Sequence, residues 1–224
     1  LSSRDFILPP AAETTPDREF GKSAQDVPKF LRASSPDADN SPDMTAPGSI
    51  RNIALCGFMG TGKSSVGRLV AETLHFAFLD TDTVIEARAG KTISQIFEEQ
   101  GEAAFRELEK RIVKELALRD RTVIATGGGL VVNPENLASL KQHAYVVCLW
   151  ASPETIWSRV KNQSNRPLLN EPDALEKIRT LLSERAPFYK QANVLLSTEL
   201  RSPREVAQQV LHQFRVAHTA PVAH

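Results

Sequence analysis

Cysteine is scarce in this sequence, and so are histidine, aromatic residues and any surplus of charge. Only Cys56 and Cys148 occur in 224 residues, each inside an apolar run. A disulfide-framed secreted scaffold is therefore excluded, and the pair reads as reduced core thiols. The five histidines are scattered with no pair at ligand spacing, which removes the usual signature of a zinc site. No run approaches the ~20 apolar residues that span a bilayer, and the N-terminus has no apolar signal core. Basic and acidic residues balance at 27 each. Residues 1–50 hold eight acidic and five basic side chains, leaving the remainder with an excess of three positive charges. That excess suits a small anionic ligand and falls short of the strongly basic face of a nucleic-acid track. The acid-rich start also differs from an Arg-rich, acid-poor transit peptide. The expectation is a soluble, cytoplasmic monomer that binds neither nucleic acid nor membrane.

Residues 1–49 show no helical or strand period and are dense in Pro, Ser, Asp and Ala. They read as a disordered N-terminal extension or linker, because so little apolar area cannot offset ordering costs of roughly 1–2 kcal/mol per residue. From Ile50 the pattern changes. Short β-rich runs, "IALC", "FAFLD", "TVIATG", "YVVCLW" and "NVLLS", alternate with helical stretches. Among these, "SSVGRLVAETLH" places Val66, Leu69, Val70 and Leu74 on one stripe, and "EAAFRELEKRIVKELAL" does the same with Phe105, Leu108, Ile112 and Leu116. Ser152-Pro153 and Ser202-Pro203 each read as an N-cap with proline at the first helical position. The alternation predicts an α/β fold, a five-stranded parallel sheet flanked by helices in three layers. The folded domain is expected over 50–216, with a disordered tail at 217–224.

"GFMGTGKS" fits G-x-x-x-x-G-K-[ST] through Gly57, Gly62, Lys63 and Ser64, between a buried strand and an amphipathic helix. Such a loop curls so that its backbone N–H groups and the following helix N-terminus face phosphate oxygens. Lys63 would reach the β and γ phosphates and Ser64 would ligate Mg²⁺. The competing reading is a glycine-rich turn without a ligand. Downstream, "FAFLDTD" ends in Asp80-Thr81-Asp82. Read as one strand, it puts both aspartates on one side at the carboxyl end of the sheet; an Asp there can also cap the next helix. Three consecutive glycines, Gly127 to Gly129, end another strand where the backbone would approach a ligand closely. The polar, proline-bearing stretch "RVKNQSNRPLLNEPD" separates two helical patterns and reads as a lid at about 160–172.

"GFMGTGKSS", "LDTD", "GEAAFRELE", "TGGG", "NRPLL" and "RAPFY" occur in the order and approximate spacing of shikimate kinases, and the chain resembles that family from about Arg51 to Phe214. The resemblance implies a P-loop fold of the nucleoside monophosphate kinase type and transfer of phosphate from ATP, with Mg²⁺, to the 3-hydroxyl of shikimate. It implies ATP contacts at Gly57, Gly60, Thr61, Gly62, Lys63, Ser64 and Ser65. Arg166 would act from the lid, Arg159 would stack on adenine, and Arg201 would also meet the base. Asp82 would hold shikimate hydroxyls and face the acceptor oxygen, while Asp80 would meet the metal through water. Arg106 and Arg185 would bind the substrate carboxylate, Glu109 would hold Arg106, and Gly127, Gly128 and Gly129 would offer backbone N–H groups. Phe97 reads equally as a pocket wall or a core residue, and Met59 is expected to face away from the phosphates. Two rivals stay open: a ligand sensor without turnover, tethered through residues 1–49, and another small-molecule kinase of the same fold, such as a gluconate kinase.

Overall fold

The computed structural model describes residues 50–162 and 173–219. The expected extension at 1–49, Arg166 and most of the expected lid lie outside the described residues.

Five parallel strands form one sheet in the order β2-β3-β1-β4-β5, namely β1 (Asn52–Cys56), β2 (Ala77–Asp80), β3 (Thr122–Ala125), β4 (Ala144–Trp150) and β5 (Val194–Ser197). Central β1 is buried along its whole length between β3 and β4, as continuous apolar runs in a doubly covered parallel sheet should be. The helices are α1 (Lys63–Leu74), α2 (Thr81–Ala89), α3 (Ile93–Leu116), α4 (Pro134–His143), α5 (Pro153–Val160), α6 (Ala174–Tyr189) and α7 (Pro203–Thr219). They cover both faces. One core joins Ala54, Cys56 and Cys148 to Ile112, Leu140, Ile156 and Ile178, and the other joins Ile53, Leu55 and Val147 to Val66, Val70, Val210 and Phe214. The three-layer architecture is the expected one.

The amino-terminal edge of the sheet is fastened by Asn52. Its Oδ1 accepts from Thr122 N (2.9 Å), and its Nδ2 donates to Arg119 O (2.6 Å) and lies 3.1 Å from Nδ1 of buried His143. Cys56 and Cys148 are register partners on β1 and β4 and are both free. Their mutual contact and burial push the Cys56 thiol well up, so it stays protonated and unreactive.

Several boundaries differ from the sequence reading. β2 stops at Asp80, and Asp82 lies in the first turn of α2. The aspartates are thus brought together by a strand-to-helix turn instead of by strand alternation. Asp80, not Asp82, is the helix cap. Helix α3 begins at Ile93, nine residues before the expected segment, and is interrupted at Gly101 (φ 80°, ψ 173°). Helix α7 runs to Thr219, past the expected boundary at 216. Helix α4 was not anticipated, although Asn133 caps it and Pro134 opens it.

Candidate active site

At the carboxyl ends of the strands, the β1–α1 loop, the start of α2 and the glycine turn after β3 enclose a cavity of about 730 Å³. Its wall includes Gly60, Gly62, Lys63, Ser64 and Ser65 together with Asp80, Asp82 and Gly128.

The phosphate loop takes its shape from glycines in conformations that other residues rarely adopt. Gly57 sits at φ 128°, and a Cβ there would collide with the Leu149 carbonyl; Gly62 caps α1 at φ 89°. Glycine is the residue that meets such conformations and close approaches without strain. Thr61 is buried, and its hydroxyl donates to Phe58 O (2.8 Å), closing the turn. Lys63 Nζ folds over the loop and donates to the carbonyls of Gly57 (3.0 Å) and Phe58 (2.9 Å). Met59 borders the cavity and packs, partly buried, against the apolar core.

Asp80 has two tasks, one per oxygen. Oδ1 accepts from Asp82 N (3.1 Å), capping α2, and Oδ2 accepts from the Ser64 hydroxyl (2.7 Å). A hydroxyl and a carboxylate held side by side at the mouth of a phosphate loop form a hard oxygen pair. That donor set fits Mg²⁺, which keeps most of its water and takes few protein ligands.

Thr81, buried between the two aspartates, accepts from Gly127 N (2.8 Å) and so fixes the glycine turn against α2. The three glycines are spaces filled by other side chains. A Cβ at Gly127 would strike Asp82 Oδ1 and lie 3.3 Å from Glu109 Oε1; one at Gly129 would lie 2.7 Å from Arg106 Nη1; one at Gly128 would meet Arg185 Nη1 at 3.7 Å. The turn therefore brings Asp82, Arg106, Glu109 and Arg185 into one neighbourhood. Arg106 Nη1 donates to Glu109 Oε2 (2.8 Å), as expected, and its Nε and Nη2 reach Glu102 Oε1 (3.1 and 2.7 Å). Burial pushes the Glu109 carboxyl up and nearby Asp82 adds to the rise, against the pull of Arg106. Arg185 lies over the Phe58 ring, 5.4 Å from its centre. Tyr189, 2 % exposed, donates its hydroxyl to Gly128 O (2.7 Å), and burial pushes this phenol up so that it remains a donor. Phe97 is 37 % exposed and packs on Phe105, with ring centres 4.8 Å apart. It is a surface residue beside the site, not a member of the core.

The remaining predicted arginines stand apart from these. Arg159 lines the cavity and donates to Gly60 O (3.2 Å), Thr198 Oγ1 (2.9 Å) and Thr198 O (2.7 Å). Arg201 is exposed outside the cavity wall and donates to Ser197 O (3.2 Å) and Gln209 Oε1 (3.0 Å). Sequence reasoning passed over Glu199, whose Oε1 accepts from Ser152 N (2.8 Å) and Thr155 Oγ1 (3.0 Å) at the start of α5. Thr198 and Glu199 thus pin both ends of α5, while a Cβ at Gly60 would lie 2.7 Å from Val160 Cγ1. Helix α5 is seated directly on the phosphate loop.

Comparison with known proteins agrees with this geometry. The shikimate kinase family model matches residues 59–215. A shikimate kinase of Thermodesulfovibrio yellowstonii is 45 % identical over 74 % of this chain and 95 % of its own length. The structure of shikimate kinase from Acinetobacter baumannii in complex with shikimate superposes with a TM-score of 0.72 at 39 % identity, covering 78 % of this chain and 97 % of the other. A gluconokinase from Sinorhizobium meliloti, 20 % identical with a TM-score of 0.50 over 77 % of this chain and 94 % of its own, shares the fold alone. The chain belongs to the shikimate kinase family.

Proposed function

We propose that the cavity binds MgATP and shikimate together and transfers the γ-phosphoryl group to the shikimate 3-hydroxyl. The observation that carries this reading is that the phosphate loop and Asp82 line one cavity, with Arg106 and Arg185 packed against the glycine turn that borders it. Phosphoryl transfer asks a protein mainly for alignment and charge neutralisation. The backbone N–H groups from Gly60 to Ser65 cradle the phosphates, and Lys63 exchanges the Gly57 and Phe58 carbonyls for phosphate oxygens. Ser64, with Asp80 through water, holds Mg²⁺, which offsets charge on the phosphates when bound. Asp82 accepts a hydrogen bond from the attacking hydroxyl and orients it. Arg106 and Arg185 present two guanidiniums to the ring carboxylate, and Glu109 holds Arg106. The backbone of Gly128 and Gly129 completes the pocket, the Gly127 N–H being held by the Thr81 hydroxyl. Arg159 meets the nucleobase end, with Arg201 farther out, and the assignment of Arg166 to charge on the transferred group rests on resemblance alone. The kinase domain begins at residue 50 and extends through α7, and it acts as a monomer in the cytoplasm.

Two variants test the division of the site. Lys63→Ala should lower kcat by about 10²–10³ with an unchanged circular dichroism spectrum, and Arg106→Ala should raise KM for shikimate while leaving KM for ATP. Full turnover of Lys63→Ala, or an equal loss of ATP affinity in Arg106→Ala, would refute the assignment.

A further inference from the structure

The guanidinium assigned to the substrate carboxylate already holds a carboxylate. Arg106 Nε and Nη2 converge on a single oxygen, Glu102 Oε1, at 3.1 and 2.7 Å. Nη1 is given to Glu109, and the Gly129 backbone closes on the Nη1 and Nη2 end, where a Cβ would stand 2.7 and 3.0 Å away. The Nε/Nη2 edge is therefore the side of the fork on which a carboxylate can sit with two parallel bonds. Glu102 occupies it. The two glutamates differ in freedom: the Glu109 side chain is 1 % exposed, whereas that of Glu102 is 65 % exposed. Glu109 is fixed in place, and Glu102 can swing away.

Glu102 also has somewhere to go. Gly101 breaks α3 at φ 80°, so Glu102 opens a fresh helical segment, and a carboxylate is favourably placed at such a start. Charge argues in the same direction. Glu102, Glu109 and Asp82 put three carboxyl groups around the two guanidiniums of Arg106 and Arg185, so withdrawal of one carboxylate eases the approach of an anion.

We propose that Glu102 is a place-holding anion that occupies the Nε/Nη2 edge of Arg106 until the substrate carboxylate displaces it, and that this exchange sets the affinity of the site for its acidic substrate. It is a positioning residue acting through Arg106, and the inference rests on the reading of Arg106 given above. Breaking an exposed ion pair of this kind is worth a factor of about two to five.

The test is steady-state kinetics of the whole chain with shikimate varied at saturating MgATP, for the wild type and for Glu102→Gln and Glu102→Ala. Both variants should lower KM for shikimate about two- to fivefold, with kcat and KM for ATP unchanged. In an Arg106→Ala background the same substitutions should change nothing. A KM that is unchanged or raised in both variants overturns the proposal, since Glu102 would then brace Arg106 and not compete for it. A fall that persists without Arg106 overturns it as well, because the effect would be general electrostatics. Failure of the underlying reading looks different: the wild type itself would then give no shikimate-dependent turnover.

Discussion

Alanine at Gly129 would probe the carboxylate-reading arginine without touching it. Gly129 has φ −100° and ψ −9°, which alanine adopts without strain, so the whole effect comes from the added methyl group. That Cβ would lie 2.7 Å from Arg106 Nη1, 3.0 Å from Nη2 and 3.2 Å from Cζ. A methyl group needs roughly 3.5 Å or more from such atoms, so the guanidinium must retreat by somewhat under an ångström and stretch its bond to Glu109. Net contributions of hydrogen bonds to charged groups run at about 1.5–3 kcal/mol, equivalent to roughly 10- to 150-fold in kcat/KM for the acidic substrate. The fold should survive, because the displaced atoms are the far end of a long side chain. Gly128→Ala is the steric contrast, its nearest neighbours being at 3.7 Å, and it should leave the melting temperature of the ligand-free protein unchanged. The assay is kcat/KM with shikimate varied, beside KM for ATP and a thermal melt. Wild-type kcat/KM in Gly129→Ala would refute the idea that the glycine exists to seat Arg106, and so would an equal loss of ATP affinity.

Two further predictions concern other parts of the molecule. Glu199→Ala removes the acceptor at the head of α5 and should raise KM for ATP about fivefold with KM for shikimate unchanged; Glu199→Gln, which keeps an acceptor oxygen, should recover part of that loss, and two equal KM shifts would refute the clamp. The imidazole of His143, 3 % exposed, is held below its ordinary value by burial and by the neighbouring charge of Arg51. The unfolded chain therefore binds the extra proton first, and stability should decline as pH falls through about 6.5, with a slope limited to about 1.4 kcal/mol per pH unit for one proton. His143→Asn, which retains an acceptor toward Asn52, should flatten the melting temperature between pH 7.5 and 5; an unchanged slope would remove His143 from the account.

What the sequence revealed was what lies close together along the chain. The phosphate loop was legible because Gly57, Gly62, Lys63 and Ser64 act within one turn, and the entering strand and leaving helix were both strongly patterned. Arg106 and Glu109, three residues apart on a helix, were legible for the same reason. Thr81 and Asp82 were read as the end of a strand because α2 buries only Thr81, Val84 and Ile85, too little to impose a helical period on a segment that directly follows β2. Helix α4 did carry its Asn-Pro start, yet ten residues with mixed polarity hid it. The contacts that bind the site into one object are long-range and had no local signal. Thr81 accepts from Gly127 across 46 positions, and Glu199 caps α5 from 47 positions away.

Shikimate-dependent phosphoryl transfer is tested by release of ADP from the purified protein with MgATP, in the presence and absence of shikimate, with the product followed by phosphorus NMR. ADP should form only when shikimate is present, one per molecule of shikimate consumed, with a single new phosphate monoester on the 3-oxygen. ADP formed equally without shikimate, or no phosphate ester in spite of ADP release, would contradict it.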